Sequence, residues 1–447
     1  MHVVIIGAGE VGGYLAERLG SEGIDVVVIE TDATRAATLS AELDIQVING
    51  SGTHPSVLKE AGIERASLLA AVTQVDEVNL VACMLAKEQG VQTSVVRVES
   101  EELRGDAGRK LLRRVGADVV IDPDGETADE IIELIHANGA AEVYPMADGK
   151  LVVLGAVVTE EADLANMTLE EIGRTRTDFV CGAITRNDET VMPGGEDRLL
   201  PGDHVRLLCR SESRAEVLSL LGAQRLRVRR AMVLGGGAVG WRVARHLEYE
   251  GVDVVLIERE PERARFLAER FRHVTVVHGD VSDTNLLLDE SVADMDVVVA
   301  ATGEDPSNVL ACVFAMTEGQ PFTVAVLHRL ALLPLVRRLG IDAALSPRTA
   351  SANAVIRHLR GGATAVATFL EGDIEVDEIE ITFGSQADGS LISELVIPDD
   401  ILLGAVIRPG YEPTIARGNT DLEAGDHVVI FGRPAALTEA KSVFTAE

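Results

Sequence analysis

Residues 2–12 and 25–30, HVVIIGAGEVG and DVVVIE, decide the fold. An apolar strand-like run leads into Gly7, Gly9 and Gly12, a helix-like segment follows, and a second apolar strand ends at Glu30. The first glycine permits a tight turn, the second lets a pyrophosphate approach the backbone, and the third lets helix and strand pack closely. Because an acid follows about 20 residues later, the stretch predicts a strand–helix–strand unit that binds a nucleotide at the helix N-terminus.

The same pattern occurs a second time, in residues 229–258. Each of its key residues lies 228 positions after its counterpart, namely Gly235, Gly237, Gly240 and Glu258. At an offset of 229 the repetition continues through four pairs: Thr73 and Thr302, Asp76 and Asp305, Asn79 and Asn308, and Cys83 and Cys312. A fixed period of this kind indicates two copies of one structural unit.

The similarity extends beyond the nucleotide-binding parts. RRVGADVVIDP at 113–123 matches RRLGIDAALSP at 337–347. GAITR at 182–186 matches GAVIR at 404–408, and LLPGDHVRLL at 199–208 matches LEAGDHVVIF at 422–431. The repeating unit is therefore a nucleotide-binding domain followed by a small domain. We predict nucleotide-binding domains at 1–124 and 228–348, connecting helices at 125–140 and 349–363, and small domains at 141–223 and 364–447.

Strand and helix patterns alternate within the first nucleotide-binding domain. Strands are predicted at 2–6, 25–29, 45–48, 68–73, 94–98 and 118–121. Strict alternation favours a parallel sheet joined by right-handed crossovers. The predicted fold class is thus α/β, with two doubly wound parallel-sheet Rossmann-like domains, each followed by a small α+β domain.

The first connecting helix has a continuous apolar face. Ala128, Ile131, Ile132 and Ile135 fall at the i, i+3, i+4 and i+7 positions. Such a face usually packs on the core of its own domain, and it could also bridge to a neighbouring subunit. The periodicity alone leaves both arrangements open.

The candidate site residues are the two glycine-rich turns, the two acids and the loops that follow later strands. Ligands of open α/β sheets bind outside the carboxyl ends of the strands. The first site is predicted to comprise Gly7, Ala8, Gly9, Glu10, Val11, Gly12, Glu30, Gly50, Ser51, Thr73 and Arg97. The second is predicted to comprise Gly235, Gly237, Ala238, Val239, Gly240, Glu258, Arg259, Gly279, Asp280 and Thr302.

The acids indicate which nucleotide is bound. Glu30 would accept hydrogen bonds from both ribose hydroxyls and would repel a 2′-phosphate. NAD(H), or another adenine nucleotide with a free ribose diol, is therefore favoured over NADP(H). Arg259, beside Glu258, loosens this argument at the second site. The alternative is a degenerate repeat that keeps its glycines only for packing.

Composition excludes several classes of function. The chain has 72 Asp and Glu residues against 40 Lys and Arg residues, a net charge of −32. Because the acidic residues are spread along the chain, they favour a halophile-type acidic surface over a site for a basic partner. Nucleic-acid binding is not expected because phosphates would be repelled. The four cysteines lack metal or disulfide spacing, so a reducing compartment and no metal site are expected. Neither a signal peptide nor an apolar run of about 20 residues is evident, so direct membrane insertion is not expected.

The main alternative is an NAD-dependent oxidoreductase built on tandem Rossmann domains. Such an enzyme needs an acid or base and a substrate domain beside the nicotinamide. His54, His136 and His328 do not recur in the other half, whereas His204 and His427 recur within turns of structural character. Because hydrolase motifs are also missing, we predict no catalytic residues and no enzyme activity. A third class of protein is a scaffold that does not respond to a ligand. The second glycine of each turn argues against this class, because a scaffold would not require glycine at that position.

Several motifs together resemble the RCK domain family, also called KTN or TrkA domains: GAGEVG, GSGTHPSVL, AAVTQVDEVN, RVES and LLPGDHV. The resemblance covers essentially the whole chain, with two complete copies. It implies a cytoplasmic, nucleotide-sensing regulatory subunit at the inner face of the cell membrane. The implied partner is an integral membrane potassium-translocating subunit of the TrkH/KtrB type. The implied assembly is an eight-domain ring, which four chains would supply as a homotetramer.

One departure from the family bears on the ligand. ATP-responsive relatives often carry an arginine, within reach of a terminal phosphate, where this chain has Glu10 in one copy and Ala238 in the other. A triphosphate at the first site would meet a carboxylate. NAD(H) is therefore the expected ligand there, ATP or ADP remains an alternative at either site, and the two sites are expected to differ in preference.

Overall fold

The structure is a computed structural model of the full chain. It describes residues 1–21, 23–137, 140–187, 189–223, 228–349, 351, 355, 366–368, 374–398 and 400–446. Most of the connecting helix predicted at 349–363 lies outside the described residues.

The first nucleotide-binding domain is a six-stranded parallel sheet. Its strands are β1 (His2–Ile6), β2 (Asp25–Glu30), β3 (Gln46–Asn49), β4 (Leu68–Ala71), β5 (Thr93–Arg97) and β6 (Val119–Ile121), in the order β3-β2-β1-β4-β5-β6. The helices between them are α1 (Glu10–Ser21), α2 (Ala33–Glu42), α3 (Pro55–Glu60), α4 (Asp76–Glu88), α5 (Glu101–Arg104) and α6 (Asp106–Arg114). β1 is buried throughout because helices cover both faces, which is why the sequence reads as an unbroken apolar run.

Helix α7 (Pro123–His136) leads into the first small domain. That domain has an antiparallel sheet of β7 (Glu142–Met146), β8 (Leu151–Val157), β9 (Phe179–Arg186), β10 (Glu189–Val191) and β11 (His204–Arg210), in the order β10-β9-β11-β8-β7. Its helices are α8 (Leu169–Thr175) and α9 (Arg214–Leu220). A mixed helix and antiparallel-strand content is what the turn-rich sequence predicts.

The second half repeats both domains. The second nucleotide-binding domain has a sheet in the order β14-β13-β12-β15-β16-β17. Its strands are β12 (Arg230–Leu234), β13 (Asp253–Glu258), β14 (Val274–His278), β15 (Val297–Ala300), β16 (Phe322–Val326) and β17 (Ala343–Leu345). Its helices are α10 (Ala238–Tyr249), α11 (Pro261–Arg270), α12 (Thr284–Asp289), α13 (Asp305–Glu318) and α14 (Leu333–Arg338). The second small domain holds β18 (Val366–Thr368), β19 (Glu375–Glu380), β20 (Ile401–Ile407), β21 (Thr414–Ile415) and β22 (His427–Gly432), ordered β18-β19-β22-β20-β21, and a helix Pro434–Phe444. The predicted fold class is confirmed.

The apolar face of α7 lies in the core of the compact unit that contains the first small domain. Residues 1–127 and 346–362 form one compact unit, and residues 128–345 and 363–447 form the other. Ile131 and Ile135 belong to a core shared with the first small domain and with Val239 and Val243 of α10. A helical apolar stripe requires burial but does not specify which surface buries it, and the structure supplies the partner that the periodicity left open.

The two small domains pack sheet against sheet. Ala183 and Leu208 of the first share a core with Val429 and Phe431 of the second. The glycines of the GAITR and GAVIR repeats permit this approach, because a Cβ atom at Gly182 would lie 2.3 Å from the Phe431 ring. The repeated glycines therefore mark an interface between the two copies.

Candidate nucleotide sites

The first glycine-rich turn has the conformation that its three glycines predict. Gly7 has φ of +95°, a region that L side chains rarely adopt. A Cβ atom at Gly12 would lie 1.9 Å from the carbonyl oxygen of Gly7, so only glycine fits between helix and strand. A Cβ atom at Gly9 would meet no atom within 4 Å. Open space beside the second glycine is the room that a pyrophosphate needs, and the turn therefore fits a dinucleotide.

Glu30 lies against this turn and is 5% exposed. Its Oε2 accepts a hydrogen bond from the Ala8 N–H at 2.7 Å, and its Oε1 accepts one from the Asp32 N–H at 2.8 Å. Burial acts to raise the pKa of Glu30, but these hydrogen bonds and the nearby Arg35 charge outweigh it and hold the pKa below its ordinary value. Oε1 also accepts a hydrogen bond from the Thr31 hydroxyl at 3.2 Å. Oε2 can accept a second hydrogen bond, so it is the oxygen available to a ribose hydroxyl.

Glu30 therefore has a structural role that the sequence did not indicate. It ties the glycine-rich turn to the end of β2, in addition to any contact with ribose. Removal of its side chain would disturb the turn as well as the ligand. A test of ligand binding is cleaner at Gly9, where an added Cβ atom would meet no protein atom within 4 Å.

The remaining residues predicted for the first site lie at the same edge of the sheet. Gly50 donates its N–H to the Glu30 carbonyl oxygen at 2.9 Å. The hydroxyl groups of Ser51 and Thr53 lie 2.8 Å apart in the following turn. A Cβ atom at Gly7 would lie 2.9 Å from the Thr73 side chain. The loops after β1, β2, β3 and β4 thus border one crevice.

Asn79 organises the loops after β4 and β5. It is fully buried, and its Oδ1 accepts hydrogen bonds from the Thr73 N–H at 3.0 Å and the Thr73 hydroxyl at 2.7 Å. Its Nδ2 donates to the carbonyl oxygens of Thr73 and Arg97 at 2.9 and 3.0 Å. The Arg97 guanidinium in turn lies 2.5 Å from Glu99. The sequence pairs Asn79 with Asn308 and indicates that the segment from Thr73 to Asn79 lines the crevice, but it does not show that Asn79 joins two loops.

We expect Asn79→Asp to destabilise the first compact unit by about 2–4 kcal/mol and to weaken nucleotide binding at the first site. The substitution keeps the acceptor oxygen but replaces the donor with a second oxygen that faces two carbonyl groups. Chemical denaturation and nucleotide titration measure the two effects. Asn308→Asp is the matched control, since it should affect the second site and leave the first unchanged. Wild-type stability of Asn79→Asp would contradict this role.

The second site repeats this geometry closely. Gly235 has φ of +102°, and a Cβ atom at Gly240 would lie 1.9 Å from the Gly235 carbonyl oxygen. Gly237 again faces open space. Glu258 accepts hydrogen bonds from the N–H groups of Gly236 and Glu260, both at 2.8 Å. The second turn therefore fits a dinucleotide by the same criteria as the first.

The loops of the second site also recur, with Asn308 in the place of Asn79. Asn308 Oδ1 accepts from the Thr302 N–H at 3.0 Å, and its Nδ2 donates to the Val326 carbonyl oxygen at 2.8 Å. The Gly279 N–H donates to the Glu258 carbonyl oxygen at 3.0 Å. Asp280 accepts from the Ser282 N–H, and this bond lowers the pKa of the Asp280 carboxyl.

Arg259 is held by a carboxylate from the opposite loop. Its Nη1 lies 2.8 Å from Glu304 Oε1, and this pairing lowers the pKa of Glu304. Glu304 is one of the residues that line a cavity of about 420 Å³ beside the second site. A 2′-phosphate at this site would therefore have to compete with Glu304 for Arg259.

Glu10 is paired with an arginine from a distant part of the chain. Arg348 Nη2 lies 2.6 Å from Glu10 Oε1, and both residues belong to the first compact unit. The expectation that a phosphate would meet an isolated carboxylate therefore changes, because the arginine neutralises it and lies at the same helix N-terminus. No sequence signal identifies Arg348, since its counterpart in the first half is Asp124.

The two valines of the turns point away from the crevice. Val11 and Val239 are 4% and 7% exposed, and each side chain is buried. Any contact of theirs with a nucleotide would therefore come from the backbone N–H groups at the helix N-terminus. Ala238 begins α10 as Glu10 begins α1.

Each half of the chain begins with a Rossmann-type nucleotide-binding domain. The defining features are the order of the parallel strands, the glycine-rich turn and the acid at the end of the second strand. The TrkA-N domain matches residues 3–123 and 231–347, and the TrkA-C domain matches residues 153–222 and 376–445. The predicted tandem repeat is thereby confirmed. The chain belongs to the TrkA family of tandem TrkA-N and TrkA-C domain proteins, as the RCK resemblance predicts.

Relatives match along the whole chain. The Trk system potassium uptake protein TrkA homolog 1 of Methanosarcina mazei is 32% identical, covering 99% of this chain and 100% of its own. Trk system potassium uptake protein TrkA of Haemophilus influenzae is 32% identical, covering 99% and 97%. The Halomonas elongata protein of that name is 32% identical, covering 96% and 95%.

Solved structures share the fold. The GsuK channel matches with a TM-score of 0.64 at 19% identity, covering 99% of this chain and 78% of the channel chain. The GsuK channel bound to NAD matches with a TM-score of 0.62, also at 19% identity, covering 100% and 79%. Within the described residues, no helix combines the length and the apolar character needed to cross a bilayer.

Proposed function

We propose that this chain is the nucleotide-sensing regulatory subunit of a Trk-type potassium uptake system. The observation that carries the proposal is the pair of intact dinucleotide-type turns, each joined to a TrkA-C domain, in a chain similar throughout to Trk potassium uptake proteins. The partner is an integral membrane potassium-translocating subunit of the TrkH/KtrB type, and the chain acts at the cytoplasmic face of the membrane. The domain boundaries and site residues predicted from the sequence are part of this proposal.

The ligand of the first site is NAD(H). Glu30, at the end of β2 beside the glycine-rich turn, supports a contact to the adenosine ribose, and its negative charge disfavours a 2′-phosphate. Open space at Gly9 and the N-terminus of α1 accommodate the pyrophosphate. The nucleotide would supply a bridge between the glycine-rich turn and the loops after β3 and β4. ADP or ATP is the alternative at either site.

Regulation follows if two arrangements of the assembled domains bind nucleotide with different affinity. A ligand can shift a conformational equilibrium only by its differential affinity for the two states. At the first site the partner of Glu10 is Arg348 from the second half of the chain, so a movement of the segment that carries Arg348 would alter the surroundings of a bound nucleotide. Four chains would supply the eight domains of a ring on the membrane subunit.

The oxidoreductase alternative has its best support in the second site, where His328 Nδ1 lies 3.1 Å from Asp305. Asp305, however, also accepts hydrogen bonds from the N–H groups of His328 and Arg329. Asp76 accepts equivalent bonds from Glu99 and Ser100 in the first half, where no histidine is present. The shared role of both aspartates is to order a loop, and we therefore assign no catalysis.

Calorimetric titration of the full chain with NADH tests the ligand assignment. We expect two binding events per chain of unequal affinity, and weaker binding of NADPH at the first site. Binding of NADPH as tight as that of NADH would contradict the role given to Glu30. Turnover of NADH with a metabolite would overturn the regulatory assignment.

We expect Arg348→Ala to lower NADH affinity at the first site about tenfold. In the free protein Arg348 pairs with Glu10, and a bound pyrophosphate offers the guanidinium a stronger partner. The double variant Glu10→Ala/Arg348→Ala separates this effect from simple exposure of the Glu10 charge, and it should bind as weakly as Arg348→Ala. Recovery of wild-type affinity in the double variant would show that Arg348 only neutralises Glu10.

A further inference from the structure

Two histidines and a glutamate converge between helices α7 and α10. His136 is the last residue of α7, His246 lies in the last turn of α10, and Glu250 is the residue that caps α10. His136 Nε2 lies 2.9 Å from Glu250 Oε1, and His246 Nε2 lies 3.2 Å from the same oxygen. The potential ligand atoms of all three lie within 4.8 Å of one another.

We propose that His136, His246 and Glu250 form a binding site for a divalent transition-metal ion such as Zn²⁺. Two imidazole nitrogens and one carboxylate oxygen are a ligand set that zinc uses when a further position is left for water. The site is separate from both nucleotide crevices, and the proposed regulatory function does not depend on it.

The distances are compatible with tetrahedral coordination. Ligand atoms about 2.0–2.2 Å from a tetrahedral ion lie roughly 3.3 Å apart. Both His–Glu separations are already close to that value, and only the two imidazoles must approach each other. Their ring centroids lie 6.0 Å apart with planes inclined by 58°, so the rings are not stacked against each other. Small side-chain rotations therefore complete the set without movement of either helix.

The surroundings suit an ion with one open position. The three side chains are 33%, 46% and 32% exposed, so water can reach the ion. Asp129, on α7, lies within electrostatic range of His246 and Arg242, and it is a candidate to orient the His246 ring. Imidazole ligands favour Zn²⁺, Ni²⁺ or Cu²⁺, whereas Mg²⁺ and Ca²⁺ require oxygen ligands.

An ion here would join two structural elements with different roles. Helix α7 leaves the first nucleotide-binding domain, and α10 begins at the glycine-rich turn of the second site. From Ala128 onward α7 shares its core with α10. Metal binding would fix the end of α7 to the far end of the helix that faces the second nucleotide.

Zinc titration of the metal-free full chain tests the site. The assay includes excess Mg²⁺, which occupies sites made only of carboxylates on this acidic surface. We expect the wild-type chain to bind one more Zn²⁺ ion tightly than His136→Ala or His246→Ala, with affinity at this site at least about 100-fold lower in either variant. His273→Ala is the control, because it removes an exposed histidine from elsewhere in the same unit and should bind as the wild type does.

A second measurement keeps the test valid if a variant is unstable. Zn²⁺ should raise the midpoint of thermal unfolding of the wild-type chain and of His273→Ala, and should not raise that of Glu250→Gln or His246→Gln, which keep hydrogen-bonding side chains. Equal zinc binding and equal thermal shifts in all variants would overturn the proposal. No zinc-dependent shift in the wild type would overturn it as well.

Discussion

Gly12→Ala is expected to abolish nucleotide binding at the first site and to destabilise the first compact unit by on the order of 3 kcal/mol. The added methyl group would lie 1.9 Å from the Gly7 carbonyl oxygen, and neither atom can move without displacement of backbone. The glycine-rich turn must therefore open. Thermal unfolding and NADH titration of the variant measure the two effects.

The adjacent residue provides a matched control for this substitution. A Cβ atom at Gly13 would lie 3.6 Å from the Ala8 carbonyl oxygen, an ordinary contact. Gly13→Ala lies one residue further along α1 and should be neutral or slightly stabilising, since alanine favours helix over glycine. Gly240→Ala should reproduce the loss at the second site. Nucleotide binding by Gly12→Ala at wild-type affinity would contradict the structural role of the third glycine.

Gly9→Val is expected to lower NADH affinity at the first site about 100-fold, or about 2.7 kcal/mol, while it leaves the protein folded. Nothing lies within 4 Å of a Cβ atom at this position, so a side chain here projects into the space proposed for the pyrophosphate. This variant therefore separates loss of ligand from loss of structure, which Gly12→Ala does not.

Gly237→Val makes the same test at the second site. Gly237 has φ of −64° and ψ of −169°, a conformation open to any residue, and its Cβ position is also free of contacts. Each single variant should retain one binding event, and the double variant should retain neither. Unchanged NADH affinity in Gly9→Val with an intact fold would show that the nucleotide does not bind at this turn.

Much of the fold could be predicted because local pattern and tertiary structure agree. The strand predicted at 2–6 forms as His2–Ile6, and the strand predicted at 68–73 ends two residues early, at Ala71. Unbroken apolar runs and the glycine turn specify buried parallel strands. The partner of α7 could not be predicted, because the spacing of Ile131 and Ile135 defines a buried face and not the surface that covers it.

Site residues that lie close together in the sequence could be predicted, and those contributed by distant segments could not. Gly7, Gly12 and Glu30 lie within one strand–helix–strand unit, so their spacing alone indicates that they meet. Asn79 required the repeat, whose Asn308 occupies the same place. Arg348 is separated from Glu10 by most of the chain, and only the three-dimensional structure joins them. The difference expected between the two sites now rests on this ion pair and on the Arg259–Glu304 pair.

Potassium uptake by vesicles that carry the membrane subunit tests the central claim most directly. With the wild-type chain added, we predict that NADH changes the rate of uptake about fivefold or more. With the Gly9→Val/Gly237→Val chain, which should still fold and bind the vesicles, NADH should have no effect. An equal NADH response from both chains, or none from the wild type, would contradict regulation through these two nucleotide sites.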